Sequence, residues 1–236
     1  MNYPFYLNPK NTLNLFGLHE NFRLLIELYS KKKLPKVLML SGNIGIGKST
    51  LINHFLFSVF DFNNYDNKKC KLINSSPFIN QFKNNIFSNI IYINGSDFKS
   101  VKIDDIRNLK TKISKSTIFN KDRFIILDDV EIFNKNSLNA LLKLIEEPSS
   151  KSYFFLINNK SIPLLDTIKS RALEIKIVLS ENKRLEIIEK LISSFELELK
   201  LEPKSSQLSP GNFVKFNYLC NEYDISVEND LINNLS

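Results

Sequence analysis

Short apolar runs alternate along the chain with stretches in which apolar residues recur every three or four positions. The runs are four to six residues long, which is typical of strands, and most of them are nearly continuous in apolar residues. Strands that helices cover on both faces have this character. The predicted strands are 37–40, 90–93, 124–127, 153–157 and 173–178.

The stretches with three- and four-residue spacing predict helices between these strands. Strands that alternate with helices over this length indicate βαβ units and a parallel sheet, so the predicted fold class is α/β. The interval 61–89 lacks clear periodicity, and its first part, 61–83, is rich in Asn and Lys, so we interpret it as a variable surface insertion. The predicted helices are 21–29, 48–60, 103–114 and 137–145.

The pattern changes after residue 179. Ser180 precedes a stretch whose apolar residues share one helical face, so it is a predicted N-cap. Further helical stretches follow, interrupted at Pro203 and at 209–211. The simplest interpretation is an α/β domain over residues 1–179 followed by a small helical domain over 180–236.

Composition narrows the class of protein. Of the 236 residues, 43% are apolar and 24% are charged, as in a globular protein that buries a core. No apolar run approaches the roughly 20 residues that a membrane-spanning helix needs, and residues 1–4 lack the features of a secretory signal. Two cysteines, Cys70 and Cys220, are too few for a disulfide framework. We therefore expect a cytoplasmic protein with no membrane partner.

The net charge of +7 is unevenly distributed. Residues 1–180 carry 26 Lys and Arg against 15 Asp and Glu, whereas residues 181–236 carry 6 against 10. A basic body joined to an acidic region fits a domain that handles polyanions such as nucleic acid. Scattered lysines that only keep the surface soluble would explain the same excess, and charge alone does not decide between the two.

A glycine-rich segment follows the first predicted strand and opens the next predicted helix. It fits the pattern G-x-x-x-x-G-K-[ST], in which backbone N–H groups and a helix N-terminus surround the phosphates of a nucleotide. Lys48 is predicted to neutralise the β- and γ-phosphates of ATP, and the Ser49 hydroxyl to bind Mg²⁺. A glycine-rich turn without a ligand is the alternative. The predicted nucleotide-binding residues of this loop are Gly42, Asn43, Ile44, Gly45, Ile46, Gly47, Lys48, Ser49 and Thr50.

The predicted strand at 124–127 runs into two carboxylates, Asp128 and Asp129. In phosphate-loop ATPases one acidic residue at such a place holds Mg²⁺ and another residue orients the attacking water. We assign Asp128 to Mg²⁺ and Asp129, as a candidate catalytic residue, to the water. A strand that merely ends in an acidic turn is the other interpretation.

Five segments form an ordered series at 16–19, 34–36, 136–148, 153–159 and 164–171. The series resembles one family, the AAA+ clamp-loader subunits of bacterial DNA polymerase III. It includes a helix after the acidic motif that ends in Glu-Glu-Pro, a sensor strand, and a Ser-Arg pair where the family has Ser-Arg-Cys. The resemblance covers about residues 10–215 and is far more specific than the phosphate loop alone.

The resemblance implies an AAA+ three-layer domain with a helical lid, most similar to delta-prime subunits, in a five-membered ring that uses ATP to load a sliding clamp. It implies that Arg171 is an arginine finger for the γ-phosphate bound by a neighbouring subunit; a surface arginine paired with Glu174 is the alternative. Asn158 or Asn159 would sense the γ-phosphate, and the sequence does not choose between them. The implied partners are the gamma/tau and delta subunits, transiently the sliding clamp, and primed DNA.

Several features depart from the family's pattern. Asp129 stands where an active motor has Glu, and the lid segment 209–213 lacks the arginine that contacts the subunit's own γ-phosphate, so we expect weak hydrolysis. Only Cys70 lies where relatives carry a four-cysteine zinc module, so we expect no zinc. The chain ends soon after the lid, and we expect the usual helical collar domain of roughly a hundred residues to be absent.

Three functional hypotheses remain open at this point. The first is an accessory clamp-loader subunit that binds ATP and supplies Arg171 to a neighbour. The second is an active gamma/tau-like ATPase, which would require Asp129 and the lid to support hydrolysis. The third is a stand-alone phosphate-loop kinase or nucleotidase, which would leave the segments 141–148 and 170–171 unexplained.

Overall fold

The computed structural model describes residues 4–73, 75–95, 103–114 and 121–225. The strands are β1 (Val37–Ser41), β2 (Tyr65–Asp66), β3 (Lys71–Leu72), β4 (Ile90–Asn94), β5 (Arg123–Asp128), β6 (Ser152–Asn158) and β7 (Leu173–Lys176). The helices are α1 (His19–Ser30), α2 (Lys48–Phe60), α3 (Pro77–Lys83), α4 (Ile103–Ser114), α5 (Lys135–Ile145), α6 (Asp166–Lys169), α7 (Glu181–Phe195) and α8 (Pro210–Glu222).

Five strands form one parallel sheet in the order β4-β5-β6-β1-β7. The predicted parallel α/β sheet is therefore confirmed, with strand ends that differ from the prediction by one or two residues. Because all five strands run the same way, their carboxyl ends meet at one edge, where Ser41 pairs with Asn158 and Asn94 pairs with Asp128. That edge carries the candidate site.

The sheet is covered on both faces, and β5 shows why its sequence is so apolar. All six of its residues are buried. Phe124 and Ile126 pack on the face covered by α1 and α2, whereas Ile125 and Leu127 pack on the face covered by α4 and α5. Successive side chains of a strand point to opposite faces, so a strand with two buried faces needs apolar residues at nearly every position. The result is the predicted three-layer arrangement.

The segment 61–89 is not the exposed insertion that its composition suggested. It contains the short hairpin β2–β3 and helix α3, which begins where the Ser76 hydroxyl accepts a hydrogen bond from the Ile79 N–H at 3.2 Å. Five of its side chains complete the core over α2, and each of these residues is 5% exposed or less. These buried residues are Tyr65, Cys70, Leu72, Ile79 and Phe82.

The helical region after residue 179 begins at the predicted N-cap, where the Ser180 hydroxyl accepts from the Lys183 N–H at 3.4 Å. The buried Arg184 guanidinium pairs with Glu181 and donates to the carbonyls of Pro203 and Leu208, which ties the irregular segment between α7 and α8 to α7. Residues 226–236 of the predicted lid domain, like residues 1–3, lie outside the described residues. None of the helices in the described ranges has the length and apolarity that a membrane crossing requires.

Replacing Phe82 by Ala tests whether the segment 61–89 belongs to the core. The Phe82 ring is 3% exposed, and its centroid lies 5.0 Å from that of the Phe57 ring. The change removes apolar contacts and leaves a cavity, so we expect the free energy of unfolding to fall by about 3–5 kcal/mol in chemical denaturation. Phe62→Ala, in the same segment but at a 67% exposed residue, is the control and should cost under about 1 kcal/mol. Equal losses would contradict the core role.

Candidate nucleotide-binding site

The glycine-rich loop joins the carboxyl end of β1 to the first turn of α2. Gly45 and Gly47 adopt the left-handed conformation, with φ of 81° and 95°, in which a side chain would be strained. A Cβ on Gly42 would lie 2.5 Å from the carbonyl oxygen of Ile177, so only glycine fits there. The glycines are therefore required by the loop's shape, as the motif predicts.

Lys48, the first residue of α2, folds back into this loop. Lys48 is only 3% exposed, and its Nζ donates to the carbonyls of Gly42 at 2.6 Å and Asn43 at 2.8 Å. Burial lowers the pKa of Lys48 to about 8, although the nearby carboxylates of Asp128, Glu131 and Asp129 act in the opposite direction. The loop thus surrounds a positive charge at the place where a phosphate group would need one.

Ser49 and Asp128 come together from α2 and β5. The Ser49 hydroxyl donates to Asp128 Oδ2 at 2.8 Å, and the Asp129 N–H donates to Asp128 Oδ1 at 3.0 Å. Asp128 is 7% exposed, and burial raises its pKa even though these hydrogen bonds favour the carboxylate. Hydroxyl and carboxylate oxygens are the ligands that Mg²⁺ prefers, so this pair fits the metal that the motif implies.

Tyr92 is a member of the site that the sequence analysis missed. Its hydroxyl donates to Asp128 Oδ2, the oxygen that also accepts from Ser49. Tyr92 lies on β4, the strand next to β5, and was counted only as part of an apolar run. A polar-tipped aromatic residue close to the carboxyl end of a buried strand was the available signal.

Asp129 is linked to the segment that follows β6. It adopts a left-handed conformation, with φ of 53°, and its Oδ1 accepts from the side-chain amide of Asn159. The buried carboxylate of Glu131 then accepts from the N–H of Asn159 at 3.0 Å and from the Ser161 hydroxyl at 2.8 Å. The acidic motif and the predicted sensor segment therefore form one hydrogen-bonded unit, and Glu131, a charge within an apolar run, is its second missed member.

The two sensor candidates occupy different surroundings. Asn158 is 6% exposed, its Oδ1 accepts from the Lys160 N–H at 2.9 Å, and its carbonyl accepts from the Gly42 N–H at 3.2 Å. Asn159 is the residue whose amide reaches the acidic motif. Asn158 thus bonds to the first residue of the loop, whereas Asn159 lies beside Asp129.

Arg171 lies outside this cluster, two residues beyond α6. Its Nε and Nη2 donate to Glu146 Oε1 at 2.9 and 2.7 Å, its Nη1 donates to the Thr167 carbonyl at 3.0 Å, and its side chain is 36% exposed. The alternative pairing with Glu174 is wrong, because the Glu174 carboxylate accepts from Ser41 instead. In the part of the chain that the structure describes, no hydrogen bond joins Arg171 to the residues of the loop 42–50.

The first turn of α8 rests on the loop. The Ser209 hydroxyl donates to the Ile44 carbonyl at 2.6 Å, and the Gly211 N–H donates to the Gly45 carbonyl at 2.8 Å. A Cβ on Gly45 would lie 2.5 Å from Ser209 Oγ and 2.9 Å from the Asn212 nitrogen. The lid segment therefore contacts the loop through backbone and small polar groups, and the side chain next to Gly45 is the neutral Asn212.

The described residues contain no group of three or more His, Cys, Asp or Glu side chains arranged to hold a metal ion. Cys70 and Cys220 are both buried free thiols. The oxygen pair of Ser49 and Asp128 is too small a set to count as such a group, and it would need phosphate or water oxygens to complete a magnesium shell.

Residues 17–180 match the protein family described as DNA polymerase III, delta subunit. The chain belongs to this family. Over 193 residues it is 28% identical to the DNA polymerase III subunit delta' of Buchnera aphidicola subsp. Acyrthosiphon pisum (strain APS), covering 77% of this chain and 51% of the relative. It is also 28% identical over 146 residues to the gamma subunit of the same organism, covering 61% of this chain and 39% of that one.

The likeness to delta' subunits confirms the resemblance found in the sequence. The chain spans about half the length of the curated delta' relatives, covering 51%, 45% and 49% of the delta' subunits of three Buchnera aphidicola strains. Among solved structures, the RuvB Holliday junction branch migration motor of Thermotoga maritima superposes with a TM-score of 0.54 at 16% identity, covering 97% of this chain and 72% of that one. This likeness shows the fold alone, and it agrees with the predicted parallel α/β arrangement.

Replacing Gly211 by Ala tests the contact between α8 and the loop. A Cβ there would lie 2.8 Å from the Gly45 carbonyl oxygen, a backbone atom that cannot move aside without shifting the loop. We expect a loss of about 1–3 kcal/mol in the free energy of unfolding and faster hydrogen exchange across residues 42–47. Ser194→Ala, at an exposed position on α7, should change neither. Unchanged exchange in the Gly211 variant would show that the contact does not hold the loop.

Proposed function

We propose that this chain is an accessory subunit of a DNA polymerase III clamp loader that binds ATP with Mg²⁺ and supplies Arg171 to a nucleotide on a neighbouring subunit. The observation that carries the proposal is the assembly of the phosphate loop, Lys48 and the Ser49–Asp128 pair at one edge of the sheet. Membership of the DNA polymerase III delta-subunit family supports a role in a clamp loader. The proposed partners are gamma/tau and delta subunits, transiently the sliding clamp, and primed DNA, all in the cytoplasm.

Phosphate binding would use groups that the loop already orients. The Lys48 ammonium now satisfies the carbonyls of Gly42 and Asn43, and a phosphate oxygen within reach would give it a charged acceptor in place of a neutral one. Ser49 and Asp128 would hold Mg²⁺, which supplies positive charge to the phosphates when it is bound. The remaining loop residues, from Asn43 to Thr50, would contribute mainly backbone N–H groups.

Two features support binding without efficient hydrolysis. Asp129, in the position assigned to orient water, has a side chain one methylene shorter than Glu, and Asn159 holds its carboxylate. The lid places the neutral Asn212 beside the loop, so no lid arginine faces the subunit's own γ-phosphate. We accordingly favour Asn159 over Asn158 as the sensor, because only its amide reaches the acidic motif.

The surroundings of Arg171 support action on a neighbour. Its guanidinium is partly exposed and is oriented by the Glu146 carboxylate, the Thr167 carbonyl and, at 3.5 Å, the Ser170 hydroxyl. Nε and one N–H of Nη2 share a single oxygen of Glu146, which leaves the second N–H of Nη2 for a phosphate. An arginine held in this way is pre-oriented but available at the surface.

An active gamma/tau-like ATPase is the second candidate, and the intact Ser49–Asp128 pair together with the gamma-subunit relatives favours it. The two candidates differ in what the purified chain does alone. Steady ATP turnover without partner subunits would contradict the accessory role and support the motor. Transfer of phosphate to a small acceptor would contradict both.

Replacing Lys48 by Ala tests nucleotide binding by this loop. The change removes the buried cation, so we expect Mg²⁺-ATP to bind at least about tenfold more weakly in equilibrium dialysis. Lys33→Ala, at an exposed lysine after α1, is the control and should bind as the wild type does. Thermal denaturation of each variant checks that it is folded. Absence of ATP binding by the wild-type chain would remove the basis of the proposal.

Replacing Arg171 by Ala tests the arginine finger. We expect the chain's own affinity for ATP to stay unchanged, because no hydrogen bond of the described residues joins Arg171 to its own loop. In the reconstituted loader, hydrolysis at the neighbouring site should slow by roughly 10³-fold, the lower range for arginine fingers, in single-turnover assays. Arg107→Ala, at an exposed arginine on α4, is the matched control. A reconstituted rate equal to that of the control would refute the assignment.

A further inference from the structure

The turn that follows β6 carries an exposed lysine, Lys160, in the left-handed conformation with φ of 58°. The Lys160 N–H donates to Asn158 Oδ1 at 2.9 Å. On either side of it, the N–H groups of Asn159 and Ser161 donate to the buried carboxylate of Glu131 at 3.0 and 3.3 Å. These bonds fix the backbone before and after Lys160, so the fold sets the place from which its side chain extends.

This turn borders both halves of the candidate site. The Asn158 carbonyl accepts from the N–H of Gly42, the first residue of the phosphate loop, at 3.2 Å. The next residue, Asn159, bonds through its side chain to Asp129 of the acidic motif. Lys160 therefore lies within two residues of Asn158, which contacts the loop, and of Asn159, which contacts the acidic motif.

The Lys160 ammonium also acts on the Lys48 ammonium through space. The two ammonium groups are near enough for their charges to repel each other. Among the described residues, no carboxylate forms an ion pair with Lys160. Two cations that repel each other beside a phosphate loop are both stabilised when a polyanion lies between them.

We propose that Lys160 is a second phosphate-binding cation, which contacts the terminal phosphate of a bound nucleoside triphosphate and makes the site prefer triphosphates to diphosphates. The inference rests on the proposed nucleotide binding by the loop. Lys48 lies within the loop itself, whereas Lys160 extends from the turn beside Asp129, the side of the site assigned to the γ-phosphate. On the lid side the corresponding group, Asn212, is neutral.

Binding of two nucleotides by the purified full-length chain tests this inference. The probes are Mg²⁺ with a non-hydrolysable ATP analogue and Mg²⁺-ADP, each measured by isothermal titration calorimetry. Lys160→Met removes the charge but keeps a flexible side chain, and we expect it to weaken binding of the triphosphate about tenfold relative to binding of ADP. Lys160→Arg keeps the charge and should retain most of the preference for the triphosphate. Thermal denaturation checks that both variants are folded.

Lys176→Met is the matched control. Lys176 is also exposed and pairs with Ser41 at the same edge of the sheet, but its charge is not among those that act on the Lys48 ammonium. Its replacement should leave the ratio of the two affinities unchanged. If Lys160→Met also leaves that ratio within twofold of the wild type, the inference is overturned while nucleotide binding stands. If the wild-type chain binds neither nucleotide, the inference and the proposed function both fail.

Discussion

Burial of the Lys48 ammonium is the constraint on which the rest of the site depends. A cation withdrawn from water needs hydrogen-bond acceptors, and Lys48 finds them in the carbonyls of Gly42 and Asn43, at the beginning of its own loop. Those carbonyls reach it because the glycines between them and α2 adopt conformations that other residues avoid. The path of the loop, the start of α2 and the placement of positive charge are thus consequences of one arrangement.

The parallel sheet supplies the acidic side of the site by bringing distant parts of the chain to one edge. Asp128 ends β5, Asn158 ends β6 and Ser41 ends β1, and these three strands are neighbours in the sheet. Tyr92 enters from β4 on the far side of β5. Polar groups concentrate at this edge because the central parts of the strands are covered on both faces and hold mostly apolar side chains.

The layers of the fold and the residues of the motifs could be predicted from the sequence. The predictions that failed did so for local reasons. Burial on both faces leaves near-continuous apolar runs, which is why most of the sheet strands could be predicted, whereas β7 is largely exposed and alternates apolar with charged residues. The segment 61–89 was misjudged because its core residues, such as Tyr65 and Phe82, are spaced irregularly among Asn and Lys. The Arg171–Glu146 pair could not be predicted, because its members are 25 residues apart and no periodicity connects them.

Gly45 and Gly211 lie face to face, with the Gly211 N–H bonded to the Gly45 carbonyl and no space for a Cβ on either residue. The contact therefore excludes a side chain at both positions, and the left-handed φ of Gly45 disfavours one there even without the contact. In a related chain whose α8 did not contact the loop, Gly211 could be replaced freely, whereas the backbone conformation of Gly45 would still favour glycine. Retention of Gly211 in related sequences would therefore indicate that α8 contacts the loop in those chains as well.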